Sequence, residues 1–404
     1  MLLLFKMAFQ SLVRSPLRRT LAVILTVAMG TGSLFIFHGF NHGVMNQYRT
    51  ATIQSRFGYG QVNLKGYREQ VFEKPWEHWI QNSNDVITSL KQIAGVKQVF
   101  PRIDFGAMLN SGAINVSGRG QGVDGSEEAT FFNMLNVEEG ETLSTQENGI
   151  LLGRGLARAL KAKVGDHVTV LSSTVDGSFN GVDLQVVGIF HTGQKDFDDV
   201  VFRIQLAQAQ ALLATTRVES IALGLDSVDS WKNVEAGVAR SHPELESTSF
   251  AILDKVYYQH AVDWLASQFD VFQFIILSVV ILGIFNTVST SVLERKQEIG
   301  NLRANGESKG EVIAMLCTEN AVLGMAGGIF GIVLVQFLLT TVLSQGFLMP
   351  PSPGITRQFY VLIEVSPLMA VKTFLMGTVS CLIGALLAAI KVARMPIAEA
   401  LRSH

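Results

Sequence analysis

The sequence predicts a membrane α-helical protein with four transmembrane helices and an α+β extracytoplasmic domain inserted between helices 1 and 2. Three observations carry that prediction. Four apolar runs each reach the ~20 residues that a helix needs to cross a bilayer. Only 16% of the 404 residues are charged and 48% are hydrophobic, whereas soluble domains carry about 25% charge. The long polar stretch after the first run reads as strands and short helices separated by turn residues.

The four runs are Leu21–Phe40, Val271–Leu293, Ala321–Leu343 and Leu368–Ile390. A soluble core helix would be shorter and striped. The first run is too long for the apolar core of a signal peptide, and Gly39–Met45 offers no small-residue cleavage site. With their flanks, the elements fall at 1–18 (an interfacial helix), 19–41 (first span), 42–267 (outer domain, its inner subdomain about 118–216) and 268–293 (second span). They continue at 294–310 (a cytoplasmic coupling helix), 311–343 (third span), 344–366 (a short outer loop), 367–391 (fourth span) and 392–404 (tail).

Basic residues set the orientation, because cytoplasmic flanks carry an excess of Lys and Arg. Lys6, Arg14, Arg18 and Arg19 precede the first run; Arg295, Lys296, Arg303 and Lys309 separate the second from the third; Lys391, Arg394 and Arg402 follow the fourth. The loop between the third and fourth runs has only Arg357. Both termini and the 294–310 loop are therefore expected on the cytoplasmic side, with 42–265 outside, periplasmic if the cell has two membranes. The N-terminal segment carries Leu2, Leu3, Leu4, Phe5, Ala8, Phe9, Leu12 and Val13, broken by Lys6, Gln10 and Arg14 and ended by Pro16. It reads as a helix lying on the inner leaflet.

In the outer region, QVNLKGY (61–67), VKQVFPRI (96–103) and AINVSGRGQGV (113–123) read as strands, and NDVITSLKQIAG (84–95) as a helix stopped by Gly95. ILLGRGLARALKAKVGDHVTVL (150–171) reads as strand, helix, Gly165-Asp166 turn and strand. DGSFNG (176–181) is a hairpin tip, with LQVVGIF (184–190) returning. VESIALGLD (218–226), a helix near Ser230–Arg240 and ELESTSFAIL (244–253) complete the domain. Residues 41–56 and 254–270 look helical and run into the first and second spans, which are expected to continue outward as stalks.

Several function classes drop out. A net charge of -2 gives no electrostatic footprint for nucleic acid. The two cysteines, Cys317 and Cys381, lie in apolar runs, so the outer region has no disulfide framework. GQGVDG (120–125) matches G-x-G-x-x-G, but a dinucleotide site needs a parallel βαβ unit, and the motif lies on the outer side; a strand-to-helix turn is expected. His38 and His42 share a helix face but lack a third metal ligand nearby, and KDFDD (195–199) reads as an acidic surface turn. There is no G-x-x-x-x-G-K-[ST], nucleophile elbow, H-E-x-x-H or C-x-x-C. The chain therefore reads as non-catalytic, with no metal site and no cofactor of its own.

Two features concern helix packing. Gly324/Gly328 and Gly327/Gly331 in the third run, and Ser380/Gly384/Ala388 in the fourth, are small-xxx-small pairs that let backbones approach closely. They fit packing within one subunit and a dimer interface equally well. Glu319 lies about three turns into the third helix, near the inner interface. A charge at a helix centre costs roughly 2.5–3.5 kcal/mol on insertion scales, so Glu319 is expected to be paired.

Residues 294–306, ERKQEIGNLRANG, follow the second run directly. Glu294, Arg295, Lys296, Gln297, Glu298, Leu302 and Arg303 are good helix formers, so the second helix is expected to continue past Leu293. Asn305-Gly306 ends it, and Ser308-x-x-Glu311 forms a capping box for the third helix. A stiff charged helix between two spans suits a lever that docks onto a cytosolic protein.

ERKQEIGNLRANG closely resembles the E-R-x-x-E-I-G-x-L-R-A-x-G signature of MacB/lipoprotein-releasing (Lol)/FtsX-type ABC transporter permeases. VARMPIAEALR (392–402) resembles the R-x-x-P-x-x-A-L-R tail of the same group. The 150–171 stretch and VVGIFHTGQKDFDDV (186–200) look like its MacB-type periplasmic core domain, the latter leaning toward the Lol-like stand-alone permeases. The resemblance covers nearly the whole chain.

The resemblance implies a dimer of permeases, identical or paralogous, with two cytoplasmic ABC ATPase subunits that hold the ATP and Mg²⁺. It implies mechanotransmission, in which ATPase closure is relayed through the stalks to the outer domain. Glu294, Arg295, Glu298, Gly300, Leu302, Arg303 and Gly306 would form the coupling element. A lipid-borne substrate would sit near Phe37, Phe40, Val44, Phe269, Phe272 and Ile276. Membrane lipid and a periplasmic carrier or adaptor complete the implied partners. Two departures stand out. The ATPase domain fused in MacB is absent from this sequence, and the hairpin around 172–184 is short and has no proline. The carrier-recruiting Lol subunit has an extended, proline-containing hook there, which argues against carrier recruitment by this chain. The implied function is export or extraction of lipoproteins or other lipophilic molecules at the outer leaflet. The alternative is an FtsX-like scaffold whose ATPase cycle activates a periplasmic hydrolase.

Overall fold

The computed structural model describes residues 17–70, 74–143, 148–255, 260–350, 358–394 and 396. The chain divides into two compact units. A membrane unit draws on Met1–Asn46, Asp263–Leu348 and Tyr360–His404, and a head on Gln47–Val262 and Met349–Phe359. Residues 1–16 of the expected interfacial helix, and nearly all of the tail motif beyond Ala393, lie outside the described residues.

Four of the described helices are long and apolar enough to cross a membrane. They are Leu17–Thr52, His260–Glu294, Lys309–Thr341 and Pro367–Ala393. The first runs on without a break past its apolar portion and closes in a π-helical turn, Ile53–Phe57. Of the expected stalk over 254–270, residues 256–259 lie outside the described set, and the helix is described from His260.

Glycine sets how these helices meet. A Cβ on Gly331 would lie 2.4 Å from the Ala28 carbonyl oxygen, and one on Gly327 would lie 2.9 Å from that of Ile24, so both face the first helix. Gly324 and Gly328 face Cys381 and Phe374 of the fourth helix, at 2.9 and 3.0 Å. Gly384 abuts Ile284 and Phe285 of the second. The small residues of the third helix thus serve contacts inside this chain. No side chain longer than hydrogen leaves room for such approach. Within the bundle, Val23, Val27, Ile284, Val288, Val292, Val312, Leu316, Leu323, Ala385 and Ala388 form one apolar core.

The head is built around a sheet of ten strands among the described residues. They are β1 (Gly60–Leu64), β2 (Val96–Asn110), β3 (Asn115–Val123), β4 (Val137–Gly140), β5 (Gly149–Gly153), β6 (His167–Ser173), β7 (Phe179–Phe190), β8 (Val201–Gln205), β9 (Ser220–Leu225) and β10 (Leu245–Ser249). The order is β10-β1-β9-β2-β3-β8-β5-β7-β4, with β6 pairing β2 and β7. The first half of β2, Val96–Arg102, pairs with β9, and the second half, Ile103–Asn110, pairs with β3. One strand therefore belongs to two lobes. The first lobe is β10-β1-β9-β2, packed by the helices Ser83–Leu90 and Trp231–Ser241 through Val86, Leu90, Val234 and Val238. The inner lobe holds β3 to β8 with the helices Arg154–Leu160 and Leu206–Leu213. A further strand pair, β11 (Phe347–Met349) and β12 (Phe359–Val361), lies between the third and fourth membrane helices in sequence.

Several local readings change. The strand expected over 61–67 ends at Leu64, and Tyr67–Gln70 turns into a short helix. The returning strand of the hairpin starts at Phe179 instead of 184, and the turn is 174–178, closed by Thr174 N–H to the Ser178 carbonyl at 2.7 Å. At GQGVDG, β3 ends at Val123 and Asp124 caps the helix Gly125–Phe131, its side chain accepting from the N–H groups of Ser126 and Glu127 at 3.1 Å. β3 pairs antiparallel with β2 and parallel with the distant β8, so no consecutive βαβ unit forms.

KDFDD is not a plain surface turn. Phe197 and Asp198 are buried. Asp198 accepts hydrogen bonds from the backbone and hydroxyl of Thr192 at 2.9 and 2.8 Å, and its other oxygen lies 2.6 Å from His191 Nδ1. Arg154 Nη2 lies 2.7 Å from the other ring nitrogen of His191. These partners satisfy a carboxylate that the run of charges suggested was solvated.

Candidate functional site

The segment 294–311 lies wholly within the membrane unit. The second membrane helix ends at Glu294, Arg295 leaves helical geometry (φ -99, ψ 12), and a separate helix spans Lys296–Ala304. The expected unbroken continuation past Leu293 is thus corrected to two helices with a joint at Arg295. The cause is tertiary. Arg295 Nη1 donates to both carboxylate oxygens of Glu319, each at 2.8 Å, and Nε donates to Glu298 at 2.8 Å. Only 13% of the Arg295 side chain and 7% of Glu319 is exposed. An ion pair between groups this buried offsets a local break in helix geometry, because either charge alone would be costly there.

Asn305 follows the short helix, and Gly306 adopts φ +103, a conformation that a side chain would strain. Ser308 then caps the third helix. Glu311 N–H donates to Ser308 Oγ at 3.3 Å, and Ser308 N–H donates to Glu311 at 2.8 Å, the reciprocal pair of a capping box.

The short helix has two faces. Ile299 and Gly300 are buried, Ile299 in the same apolar core as Val292, Val312 and Leu316. Leu302 and Arg303 are half-buried. Glu294, Gln297, Glu298, Asn301, Ala304 and Gly306 are exposed. The signature residues therefore divide: Arg295 and Gly300 face inward, with Leu302 and Arg303 partly so, while Glu294, Glu298 and Gly306 face out.

The second group of expected residues is less gathered. Phe37 and Phe269 meet edge-to-face, with ring centroids 6.1 Å apart at 88°. Phe272 is 52% exposed, and Phe40, Val44 and Ile276 are half-buried. His38 Nδ1 lies 3.2 Å from Thr373 Oγ1, and His42 lies 3.5 Å from Glu364. Among the described residues no cluster of three His, Cys, Asp or Glu side chains could hold a metal ion. Sequence reasoning missed Glu364, which also accepts from Asn46 Nδ2 at 2.7 Å and whose N–H donates to the Gly39 carbonyl. Gly39 and Gly43, spaced for close approach on one helix face, were the available signal.

A MacB-like periplasmic core domain model matches residues 20–241, more than half of the chain, and an FtsX-like permease C-terminal model matches 271–397. The chain belongs to this family of ABC transporter permeases of Lol/MacB/FtsX type. It is similar to the lipoprotein-releasing system transmembrane protein LolE of Haemophilus influenzae, at 25% identity over 64% of this chain and 63% of that protein. It is similar to LolC of Neisseria meningitidis, at 29% identity over 59% of this chain and 60% of that protein. The macrolide export ATP-binding/permease protein MacB of Hyphomonas neptunium is 23% identical over 99% of this chain and 60% of its own length. The matches thus span less than two thirds of each of these relatives.

Proposed function

We propose that this chain is the permease subunit of an ATP-driven transporter that extracts or exports a lipoprotein or other lipophilic substrate from the periplasmic side of the inner membrane by mechanotransmission. The observation that carries this reading is the unbroken helix Leu17–Thr52, whose residues belong to the membrane unit up to Asn46 and to the head beyond it. A helix is the stiffest connection a single chain offers, since each turn is held by its own hydrogen bonds.

In this reading two cytoplasmic ATPase subunits bind the exposed face Glu294, Gln297, Glu298 and Asn301. They bind the ATP and Mg²⁺, and hydrolysis takes place on them. Arg295 and Ile299 tie the short helix to Glu319, Val312 and Leu316 of the third helix, so a push on the exposed face moves the bundle. Gly327 and Gly331 seat the first helix against the third at backbone distance, and the first helix carries the movement outward. A second permease, identical or paralogous, faces this one. The acyl chains of the substrate rest near Phe37, Phe40, Val44, Phe269, Phe272 and Ile276, where apolar surface meets lipid. Both termini lie in the cytoplasm, as the distribution of Lys and Arg supports.

The test uses the chain co-purified with its ATPase subunits and reconstituted in lipid nanodiscs. ATP hydrolysis that rises on addition of a triacylated lipoprotein, with release of that lipoprotein, supports the proposal. Hydrolysis that ignores lipoprotein and rises only with a bound periplasmic hydrolase overturns it in favour of the FtsX-like signalling scaffold.

A further inference from the structure

The π-helical turn Ile53–Phe57 ends the first helix within the head, closed by Gly58 N–H to the Ile53 carbonyl at 3.0 Å. The last carbonyls of a helix lack intrahelical partners and carry partial negative charge. Here one of them, that of Arg56, accepts from Nη1 of Arg102. Arg102 is 1% exposed and sits where β2 changes partner from β9 to β3. The two other nitrogens of its guanidinium both donate to one carboxylate. Nε lies 2.5 Å from Glu128 Oε1 and Nη2 lies 2.9 Å from Oε2. Glu128, 3% exposed, belongs to the helix Gly125–Phe131. It also accepts from Arg203 Nη1 at 3.0 Å, and Arg203 on β8 reaches Gln121 on β3 through Nε at 3.1 Å. The Phe132 ring lies under the Arg102 guanidinium at 4.1 Å.

Burying three charges is an unusual way to fill a core. Apolar side chains of the same volume are often as stable or more so. The cluster is also unbalanced, with two guanidiniums around one carboxylate, and Arg203 Nη2 makes no hydrogen bond among the described residues. Burial pulls the Arg203 guanidinium down to about 10, so it is still charged at neutral pH. What the arrangement gives that apolar packing does not is direction. A guanidinium fork fixes angles as well as distances, whereas packed methyl groups slide. Through this fork the end of the first helix is tied to the strand shared by the two lobes, to the helix 125–131 and to β8.

We infer that Arg102 is the positioning residue through which movement of the first helix reaches the shared strand β2 and the inner lobe of the head. The inference rests on the mechanotransmission reading above and goes beyond it by naming the joint.

The test is hydrogen–deuterium exchange of the full chain with its ATPase subunits in nanodiscs, with and without ADP–vanadate trapping. In the wild type, trapping should change exchange in 47–57 and in β2, β3 and β8. Arg102→Met removes the fork but leaves Glu128 paired with Arg203, so the head should fold, as basal exchange in β9 will report. In this variant the 47–57 response should persist while the β2, β3 and β8 response falls by about fivefold or more, the lower end of ordinary site-to-site coupling. Arg203→Met, equally buried but without a bond to Arg56, should keep the response in β2 and β3 and lose only the part of the β8 response that runs through Glu128. Arg102→Lys, which keeps the charge but replaces the planar fork by a single ammonium, should give an intermediate response, and it decides the matter if the Arg102→Met variant does not accumulate. A head that responds equally in wild type, Arg102→Met and Arg102→Lys overturns this inference alone. A wild-type head with no response to trapping overturns the transmission reading and this inference with it.

Discussion

Arg295 Nη1 sits 2.8 Å from both carboxylate oxygens of Glu319, 24 positions further along the chain. That pair joins the break after the second membrane helix to the body of the third. Removing one partner takes away the other's buried ion pair, and breaking a buried pair in this way costs about 3–5 kcal/mol. Arg295→Ala and Glu319→Ala should each lower the melting temperature of the detergent-solubilised chain. The double variant, which removes both buried charges, should recover much of the loss. Single and double variants that melt together would show that the pair is not energetically coupled.

Glu298 lies on the outward face of the short helix, with 65% of its side chain exposed. Glu298→Lys should leave insertion unchanged and lower melting only slightly, through the lost Arg295 bond at an exposed side chain, but weaken capture of the ATPase subunits about tenfold, the effect of ~1.4 kcal/mol lost at a charged interface. Pull-down of the tagged chain followed by titration of ATPase checks this. Unchanged capture with unchanged transport would remove Glu298 from the docking face.

Gly331 admits no side chain without displacing the Ala28 backbone, because its Cβ would lie 2.4 Å from the Ala28 oxygen. Gly331→Val should destabilise the bundle by about 1–3 kcal/mol through overpacking. Gly310, near the start of the same helix, would meet only Ser308 Oγ, at 3.9 Å. Gly310→Ala should be neutral or slightly stabilising, since it restricts the unfolded chain. Equal melting temperatures for Gly331→Val and the wild type would sink the close-packing account.

Much of this was legible beforehand, for reasons that differ by element. The four spans follow from uninterrupted apolar length. Ser308 and Glu311 announce the third helix at their required spacing, and Asn305-Gly306 announces the stop before it. The joint at Arg295 was hidden because Glu, Arg, Lys and Gln are all good helix formers, and its cause is the distant Glu319. β8 is hidden in the sequence for a related reason: Arg203 interrupts an otherwise apolar run, and only Glu128 and Gln121 explain why a charge can lie there. KDFDD misled because three acidic residues in five suggest water, whereas His191 and Thr192, a few positions earlier, bury Asp198.

The head should also respond to pH. Glu219 is buried, accepting from the Tyr67 hydroxyl and the Asp104 N–H, and burial first, then the nearby Asp104 charge, pushes its carboxyl up to about 8. An unfolded Glu titrates near ~4.3, so the folded head holds this proton more tightly. The resulting stabilisation is fully present below the unfolded value and is lost as pH rises toward and through about 8. Thermal unfolding followed by tryptophan fluorescence should therefore fall in temperature from about pH 5 to pH 8. Trp76, Trp79 and Trp231, three of the chain's 4 tryptophans, report from the head. Glu219→Gln, which mimics the protonated acid, should flatten that slope. An unaltered slope would assign the pH response to other groups.

The shared strand β2 constrains how such permeases can diversify. Because Val96–Arg102 completes one lobe and Ile103–Asn110 the other, neither can be exchanged as a cassette without cutting inside a hydrogen-bonded ladder. A chimera that imports the inner lobe from a relative must carry all of β2 and the Arg102 partners with it. Recombination between paralogues should then succeed at the chain's membrane-proximal borders and fail at the junction between lobes.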